Sequence, residues 1–465
     1  MIHIETIETS SLGDRSYLAT DGQVAVVIDP QRDIDRVLDL VEQRGLSLIH
    51  VLETHVHNDY VSGGLELAVR TGATYVLPTG SDALFDHHPV GDGDVLEAGA
   101  IRLRVLHTPG HTHHHVSYVL EDAQSNGAGA VRAVFTGGSM LYGATGRTDL
   151  VSPAATDELT HAQFHSVRRI ARELPAPTEV FPTHGFGSFC SATPTTGTAS
   201  TVGEQLRANP ALTMEEQQYV DTLLAGLDAY PAYYAHMGPI NRSGPTPVDL
   251  SLPEPVDSTE LRRRLEAGEW VVDLRQRTAF AAGHLPRSLN FELGTNFVTY
   301  LGWLYTYGEP LTLIGESEEQ VAQARRELVR IGVDDLAGAA IGDIEALAHG
   351  QELRSYRVTD FAGLAAALHH GPVQVLDARR NDERAQGYVR GSQHIPLHEL
   401  NVRLDEVPEG ELWVYCGSGY RASIAASVLD SPGRQLVLID DSYDNAGKAD
   451  LEERPAEGDN PADSA

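Results

Sequence analysis

The chain has 465 residues, 41% of them hydrophobic, and a formal net charge of −32 at pH 7. This length exceeds one ordinary hydrophobic core, so two to four domains are expected. The acidic excess argues against nucleic acid or a membrane as a partner, and no apolar run is long enough to span a bilayer. No signal-like segment begins the sequence and two cysteines are too few for a disulfide framework, so a cytoplasmic location is expected.

The first predicted domain, residues 1–245, alternates apolar runs with amphipathic segments. Such alternation is typical of an α/β fold. A connector helix is predicted within 209–228, and the proline-rich stretch 245–255 marks a domain boundary. The apolar runs predict strands over 24–30, 48–52, 74–77, 101–106, 116–120, 131–136 and 179–182, and the amphipathic segments predict helices over 34–44, 65–70 and 159–174.

Three of the predicted strands end in histidine-containing motifs. His55, His57 and Asp59 follow the second strand at alternate positions, His111 follows a Pro-Gly turn, and His184 lies in a Thr-His-Gly sequence. Imidazole is the commonest metal ligand, and side chains spaced i and i+2 after a strand can converge on one ion if the loop curls. A single motif of this kind is also common in polar surface loops.

In this order, the three motifs resemble those of the metallo-β-lactamase superfamily, particularly its persulfide dioxygenases and the related glyoxalase II enzymes. The stretches 146–150 and 183–190 also resemble later motifs of those enzymes. The resemblance covers the first half of the chain and implies an αββα sandwich. The residues that it implies as metal ligands are His55, His57 and His111, with Asp59 and His184 as further ligands or as partners of the ligands.

Two positions depart from the superfamily pattern. Tyr60 stands where a histidine is usual, and Gly138 stands where an aspartate usually completes the metal site. Both changes remove ligands mainly from the second metal position, so one metal ion is expected rather than two. Three imidazoles suit Zn²⁺, but the domains downstream favour Fe²⁺. Candidate substitute ligands are Asp59, His113, His114 and His115.

Two further residues of this domain are candidate substrate contacts. The resemblance implies that Arg147 pairs with a substrate carboxylate through its planar guanidinium, and a structural salt bridge is the alternative. Cys190 lies close in sequence to His184, where a substrate or relay sulfur would be useful. The alternative for Cys190 is a buried filler of the core.

The second predicted domain, residues 246–350, resembles a rhodanese domain. A predicted strand over 270–275 is followed by Gly283-His284-Leu285-Pro286, and a second strand is predicted over 311–314. After that strand a rhodanese has its cysteine, whereas this chain has Glu316 and Ser317. We therefore expect this domain to be inactive and to hold the flanking domains in place.

The third predicted domain, residues 351–445, repeats the pattern with a cysteine in place. A strand over 412–415 enters a glycine-rich loop from Cys416 to Arg421, and a helix follows. Loop N–H groups, the helix N-terminus and Arg421 together favour a reactive thiolate. The arrangement resembles an active rhodanese loop with Cys416 and Arg421 as catalytic residues; a phosphatase loop would have one more residue between them. The acidic tail, 446–465, is expected to be disordered.

The order of the three predicted domains resembles that of bacterial persulfide dioxygenase–rhodanese fusions. The resemblance implies that low-molecular-weight thiol persulfides are oxidised by dioxygen to sulfite, and that Cys416 exchanges sulfane sulfur with thiosulfate. One alternative is a zinc-dependent thioester hydrolase of the glyoxalase II kind that carries a rhodanese. Another is a metal-free scaffold domain with only the rhodanese active. A homo-oligomer is expected.

Overall fold

A computed structural model describes residues 2–125, 131–193, 195 and 197–454. The chain divides into two compact units, Met1–Asp249 with Arg326–Asp334, and Leu250–Arg325 with Asp335–Ala465. The predicted second and third domains therefore share one unit. Within the described residues, each helix is too short or too polar to cross a bilayer.

Two six-stranded sheets form the centre of the first unit. The strands of the first sheet are β1 (His3–Thr9), β2 (Asp14–Thr20), β3 (Val24–Ile28), β4 (Ser47–Leu52), β5 (Thr74–Pro78) and β6 (His88–Val90). They lie side by side in chain order, and pairing is antiparallel from β1 to β3 and parallel from β3 to β6. The parallel strands place their carboxyl ends, and hence the loop after β4, at one edge of the sheet.

The second sheet has the strand order β12-β11-β10-β9-β8-β7. Its strands are β7 (Val95–Ala98), β8 (Ile101–His107), β9 (Val116–Asp122), β10 (Val131–Gly137), β11 (Glu179–Pro182) and β12 (Ser200–Thr201). The two sheets share a buried core, which includes Tyr17 and Val26 from the first sheet and Leu103, Tyr118 and Phe135 from the second.

Helices cover the outer faces of both sheets. Against the first sheet pack α1 (Asp35–Gln43) and α2 (Gly64–Thr71), and against the second pack α3 (Thr156–Glu173), α4 (Val202–Ala208), α5 (Pro210–Thr213) and α6 (Glu216–Gly226). The layers are therefore αββα, as predicted. The predicted connector helix over 209–228 is divided between α5 and α6, and α7 (Tyr234–Ser243) follows.

The second unit contains two parallel sheets. The first has the order β14-β13-β15-β16 and the second β17-β22-β21-β18-β20. Their strands are β13 (Trp270–Asp273), β14 (Leu289–Asn290), β15 (Leu311–Gly315), β16 (Gly338–Ile341), β17 (Arg357–Thr359), β18 (Gln374–Asp377), β20 (Gln393–His394), β21 (Glu411–Tyr415) and β22 (Gln435–Ile439).

Helices separate most of the strands in this part of the chain. Helix α8 begins after Asp257, whose carboxylate accepts from the N–H groups of Thr259 and Glu260, and ends at Gly268 in the left-handed conformation. The helices are α8 (Ser258–Ala267), α9 (Arg277–Ala282), α10 (Phe297–Leu304), α11 (Glu318–Arg330), α12 (Ile344–Ala348), α13 (Phe361–His370), α14 (Asn381–Gln386), α15 (Tyr420–Leu429) and α16 (Asp444–Lys448).

The structure continues past the predicted end of the third domain. Residues 446–454, assigned to the disordered tail, include the end of α16 and β23 (Glu452–Glu453). Strand β23 pairs antiparallel with β19 (Tyr388–Val389), so these residues belong to the folded unit. The remainder of the predicted tail, 455–465, lies outside the described residues.

Candidate functional site

Five buried histidines meet where strands of both sheets end in the first unit. His55 and His57 follow β4, His111 follows β8, His115 precedes β9, and His184 follows β11. The ring centroid of His55 lies 4.1 to 5.3 Å from the centroids of the other four rings. The motifs that the sequence separates by more than a hundred residues therefore form one cluster.

His55 and His111 are each held through Nδ1. The Nδ1 of His55 lies 2.9 Å from the hydroxyl of Thr54, which itself donates to a carboxylate and so accepts from the ring. The Nδ1 of His111 donates to the carbonyl of Arg147 at 2.7 Å. These contacts fix the tautomer of both rings and leave each Nε2 as a lone-pair donor. The Nε2 of His111 is buried and has no hydrogen-bond partner among the described residues.

His57 is held through the other nitrogen. Its Nε2 lies 3.2 Å from Asp29, 3.2 Å from Glu53 and 3.0 Å from the hydroxyl of Tyr60. The buried Nδ1 of His57 lacks a hydrogen-bond partner within the described part of the chain. Tyr60, which replaces the usual histidine, thus helps to orient His57.

His184 is oriented by two carboxylates. Its Nδ1 lies 2.9 Å from Asp14 and 3.0 Å from Asp59, and its Nε2 lies 3.4 Å from the Nε2 of His55. Asp59, a candidate substitute ligand, is therefore placed where it contacts His184. Asp14 lies on β2 and does not belong to any of the three sequence motifs.

His115 differs from the other four because both of its ring nitrogens have partners outside the histidine cluster. Its Nδ1 lies 2.9 Å from the hydroxyl of Thr108, and its Nε2 accepts from the N–H of Gly138 at 3.0 Å. Gly138 is also tightly packed, since a Cβ there would lie 2.3 Å from Cδ2 of His111. The usual aspartate therefore does not fit at this position with His111 where it lies.

The four remaining imidazoles fit a metal ion through the nitrogens that have no other role. Four groups of donor atoms each lie within 4.8 Å of one another, and two of them contain more than one imidazole: His55, His57 and His184, and His111, His184 and Cys190. The predicted set of His55, His57 and His111 is thus assembled in one cluster, while His184 is the residue that both groups share. Buried nitrogens without partners are what an ion site requires.

Burial and the neighbouring carboxylates shift the pKa values of these four rings in opposite directions. Burial lowers the pKa of His111 to about 3 and holds that of His55 well below its usual range. Burial opposes charge on His57 as well, but Asp29 and Glu53 outweigh it and raise the pKa of His57 to about 9. Burial is likewise outweighed at His184, where carboxylates hold the pKa well above its usual range. A bound cation would replace these protons.

Arg147 and Cys190, the two candidate substrate contacts of this domain, lie in different surroundings. Arg147 makes two 2.7 Å hydrogen bonds to Asp149 and also donates to the carbonyls of Phe189 and Asp228. Its guanidinium therefore fixes the surrounding loops. Cys190 is fully buried, and burial together with nearby carboxylates holds the pKa of its thiol well above the usual range.

A cleft of 470 Å³ adjoins the histidine cluster. Val56 and Asn58, which alternate with the histidines of the first motif, line it, as do Tyr234 and Arg242 of α7. The hydroxyl of Tyr234 lies 3.8 Å from the sulfur of Cys190, so Tyr234 lies between the cleft and the buried cluster. His113 and His114 also line the cleft. Its volume is in the range of pockets for small organic molecules.

The second unit holds the predicted thiol loop. Cys416 directly follows β21 and is 1% exposed, and the N–H of Ser418 lies 3.5 Å from its sulfur. Helix α15 begins at the end of this loop, and its N-terminus adds positive potential near the sulfur. Arg421 forms a bidentate ion pair with Glu383.

Arg242 and Glu383, like Asp14, are absent from the sequence predictions. Arg242 lies in the connector beyond the metal motifs, and Glu383 lies on α14 between the strands of the third domain. Neither is part of a recognisable motif, because each reaches its site only through tertiary packing. The one signal for Arg242 was a cation in an otherwise apolar and aromatic segment.

Comparison with known proteins places both halves of the chain. A family model described as a rhodanese-like domain matches residues 361–448. The mitochondrial persulfide dioxygenase ETHE1 of Homo sapiens is 30% identical over 247 residues, which cover 53% of this chain and 81% of that protein. The chain belongs to the persulfide dioxygenase family.

Two other similarities extend this assignment. A metallo-β-lactamase structure from Staphylococcus aureus subsp. aureus COL is 29% identical with a TM-score of 0.65, and the match covers 74% of this chain and 99% of that one. A hydroxyacylglutathione hydrolase from Methylobacillus flagellatus is 34% identical over 164 residues, or 35% of this chain and 58% of that protein. The predicted fold class is confirmed, and this persulfide dioxygenase-family chain is an enzyme. The rhodanese assignment of 246–350 stays a prediction.

Proposed function

We propose that the chain oxidises low-molecular-weight thiol persulfides with dioxygen at the first unit and transfers sulfane sulfur at Cys416. In the first reaction a persulfide, one dioxygen and one water give the thiol and sulfite. In the second, sulfur is exchanged between persulfide, sulfite and thiosulfate. The observation that carries the proposal is the cluster of imidazoles that each present one unpartnered or facing nitrogen beside a cleft.

The cluster supports one metal ion, which we propose to be Fe²⁺. His55, His57, His111 and His184 would hold it, since Thr54, Arg147 and the surrounding carboxylates already orient the opposite ring nitrogens. When bound, iron supplies the redox chemistry that lets dioxygen react with a sulfur atom. The residues that it would contact are His55, His57, His111 and His184.

The cleft supports binding of a thiol carrier with acidic groups. Arg242 is exposed at its wall and has no ion-pair partner within the described part of the chain. A guanidinium of this kind can accept a carboxylate through two parallel hydrogen bonds. Arg242 would hold the carrier in place while the buried histidines exclude bulk water from the reacting sulfur.

Sulfur transfer at Cys416 follows from the loop geometry. The thiolate attacks the outer sulfur of a persulfide, the bond between the two sulfurs breaks, and the carrier thiolate leaves with the electron pair. The N–H of Ser418 and the N-terminus of α15 would stabilise the anionic sulfur that remains, and Arg421 beside the loop is held by Glu383.

Oxygen uptake with glutathione persulfide tests the first half of the proposal. Iron-loaded protein should consume about one dioxygen per persulfide and release sulfite, and His111→Ala should lose this activity by about two orders of magnitude or more. His165→Ala is the matched control because His165 is exposed on α3 and lies outside the cluster. Uptake by the wild type that does not exceed that of His111→Ala would refute the oxidation.

A zinc-dependent thioester hydrolase is the second candidate, because the nitrogen-rich set of His55, His57, His111 and His184 also suits Zn²⁺. Elemental analysis of the purified protein distinguishes the two. Zinc together with turnover of lactoylglutathione would select the hydrolase, and iron together with oxygen uptake would select the dioxygenase.

A further inference from the structure

Helix α7 lies between the cleft and the histidine cluster. Its buried residues recur at the spacing of one helical face: Tyr234, Met237, Gly238 and Asn241. A second face of the same helix lines the cleft with Ala235, Pro239 and Arg242. Adjacent residues of α7 therefore face two different parts of the site.

The side chain of Asn241 reaches from α7 to the loop that carries His57. Its Nδ2 donates to the carbonyls of His57 at 2.9 Å and of Tyr60 at 2.8 Å. Its Oδ1 accepts from the N–H of Ser62 at 2.9 Å. Asn241 is 9% exposed, so little water competes for these contacts. We call residues 57–62 the metal loop.

Only an amide satisfies this set of contacts. Two of the three backbone groups are acceptors and one is a donor, and a carboxamide offers two N–H donors and an acceptor oxygen. An aspartate of the same shape would accept from Ser62 but would turn an oxygen toward two carbonyls. The contacts therefore depend on the amide nitrogen of Asn241 rather than on the size of its side chain.

The metal loop closes on itself around the ring of His57. The rings of His57 and Tyr60 are stacked with centroids 4.3 Å apart, and the Tyr60 hydroxyl lies 3.0 Å from Nε2 of His57. Asn241 holds the backbone at both residues, so it fixes the position from which the His57 ring extends.

A second contact holds the metal loop from the segment 326–334, which belongs to the same compact unit. The N–H of Val61 donates to the carbonyl of Arg330 at 2.7 Å. Gly332 of this segment lies against α7, since a Cβ there would lie 2.9 Å from Cδ1 of Ile240. The loop is thus held on two sides, and Asn241 provides the side that bonds to His57.

We propose that Asn241 is a positioning residue of the metal site, which holds the metal loop so that Nδ1 of His57 stays available to a cation. This inference rests on the proposed function of the first unit. Backbone groups engage both N–H donors and the oxygen of the Asn241 amide, so Asn241 acts through the backbone of His57 and not as a ligand.

Cobalt binding to the metal-free, full-length protein tests this role without turnover. The dissociation constant of Co²⁺ and the visible absorption of bound Co²⁺ are measured for the wild type and for Asn241→Asp. The variant should bind Co²⁺ about tenfold or more weakly, as is usual when a residue that orients a metal ligand is lost. The added carboxylate by itself attracts a cation, so weaker binding reports the displaced loop rather than the added charge. The absorption spectrum should change as well.

Asn209→Asp is the matched control in the same unit. The Nδ2 of Asn209 donates to the carbonyls of Leu141 and Ala144, and its Oδ1 accepts from the N–H of Ala211. Both variants should therefore lose stability in urea, whereas Asn209→Asp should keep the wild-type constant and spectrum for Co²⁺. An equal loss of Co²⁺ affinity in the two variants would overturn the positioning role, because the effect would then come from stability alone.

Asn241→Ala repeats the comparison without a buried charge, should Asn241→Asp fail to fold. At equal iron content this variant should lower kcat for oxygen uptake and leave KM for glutathione persulfide near the wild-type value. A rise in KM alone would place Asn241 in the cleft wall and overturn the proposal, and so would wild-type Co²⁺ binding in either Asn241 variant. Wild-type protein that binds no Co²⁺ would refute the proposed metal site and this inference together, which separates the two failures.

Discussion

Residue 138 is a glycine because the imidazole of His111 packs directly against the backbone there. A Cβ there would lie 2.3 Å from Cδ2 of His111 and 2.8 Å from its Nε2. The N–H of Gly138 also donates to His115, so the backbone itself supports two rings of the cluster. The chain has therefore replaced a ligand side chain by close packing of an imidazole.

Gly138→Ala should lower the free energy of unfolding by about 1–3 kcal/mol, because the added methyl group overpacks a buried site. The displaced His111 should also reduce the metal content of the purified protein. Urea unfolding and elemental analysis measure the two effects. Gly91→Ala is the control, since its Cβ would make only ordinary contacts at 3.8 Å or more. Unchanged stability and metal content in Gly138→Ala would contradict the packing argument.

The cleft residue Arg242 should act in binding more than in the chemical step. Arg242→Ala should raise KM for glutathione persulfide by about tenfold and change kcat little, because a charge-assisted hydrogen bond contributes about 1.5–3 kcal/mol in both the ground and transition states. Steady-state oxygen uptake measures both constants. The control is Arg70→Ala, an exposed arginine paired with Glu66. A fall in kcat at constant KM would place Arg242 in the reaction itself.

The sequence predicted the histidines of the site because each lies in a short motif at a strand end. It could not predict Asp14, which holds His184, because that carboxylate lies on β2 in a strand with no recognisable metal motif. It also could not predict that both ring nitrogens of His115 have partners. Such contacts depend on how two sheets pack and are invisible to residue spacing.

At the scale of elements, β13 and β18 end in the same aspartate–arginine ion pair. In each, an aspartate at the strand end accepts from an arginine two residues later, Asp273 from Arg275 and Asp377 from Arg379. Asp377 also accepts from the hydroxyl of Tyr415 at 2.7 Å. This contact links β18 to the strand that delivers Cys416, so the ion pair supports the loop.

Asp377→Asn should destabilise the protein by about 3–5 kcal/mol at pH 7, since it leaves the buried Arg379 without its counter-ion. Burial opposes the charge on Asp377, but Arg379 outweighs it and holds the pKa of the carboxyl below its usual value. The ion pair of Asp377 with Arg379 therefore stabilises the fold fully above the pKa of an aspartate in the unfolded chain, about 3.9. This stabilisation is lost as the pH falls through the lower pKa that Asp377 has in the folded protein.

Urea unfolding at pH 7 and at pH 3 measures this effect, and the difference between wild type and Asp377→Asn should shrink at pH 3. Asp382→Asn, which alters an exposed ion pair with Arg380, should cost about 1 kcal/mol or less. A difference that stays constant between the two pH values would show that the charge of Asp377 is not responsible.

Strands with apolar runs were predicted almost to the residue, whereas β1 and β2 were not predicted. Strand β1 alternates polar and apolar residues in His3–Thr9, and β2 contains Asp14, Arg15 and Ser16 in succession. Their place in the sheet comes from antiparallel pairing with neighbours, a tertiary effect that overrides composition. The folded residues 446–454 were missed for the same reason, because β23 is stabilised by its pairing with β19.

At the scale of the whole molecule, two compact units each hold one candidate site. The histidine cluster lies within Met1–Asp249, and Cys416 lies in the other unit. The predicted boundary near residue 350 does not separate compact units, because residues on both sides of it line a small cavity beside Arg421. A boundary that was inferred from repeated motifs therefore marks a repeat in the chain rather than two independent bodies.

The product of persulfide oxidation should depend on Cys416. With glutathione persulfide and dioxygen, the wild type should accumulate thiosulfate, because Cys416 transfers sulfane sulfur to the sulfite that is formed. Cys416→Ser should accumulate sulfite instead and reduce thiosulfate by about tenfold or more, since serine oxygen is a much weaker nucleophile than a thiolate at neutral pH. Ion chromatography measures both products, and Ser431→Ala serves as the control in the same unit. Thiosulfate formed by Cys416→Ser at the wild-type rate would mean that sulfur reaches sulfite without the second site, and the two units would then have no shared chemistry.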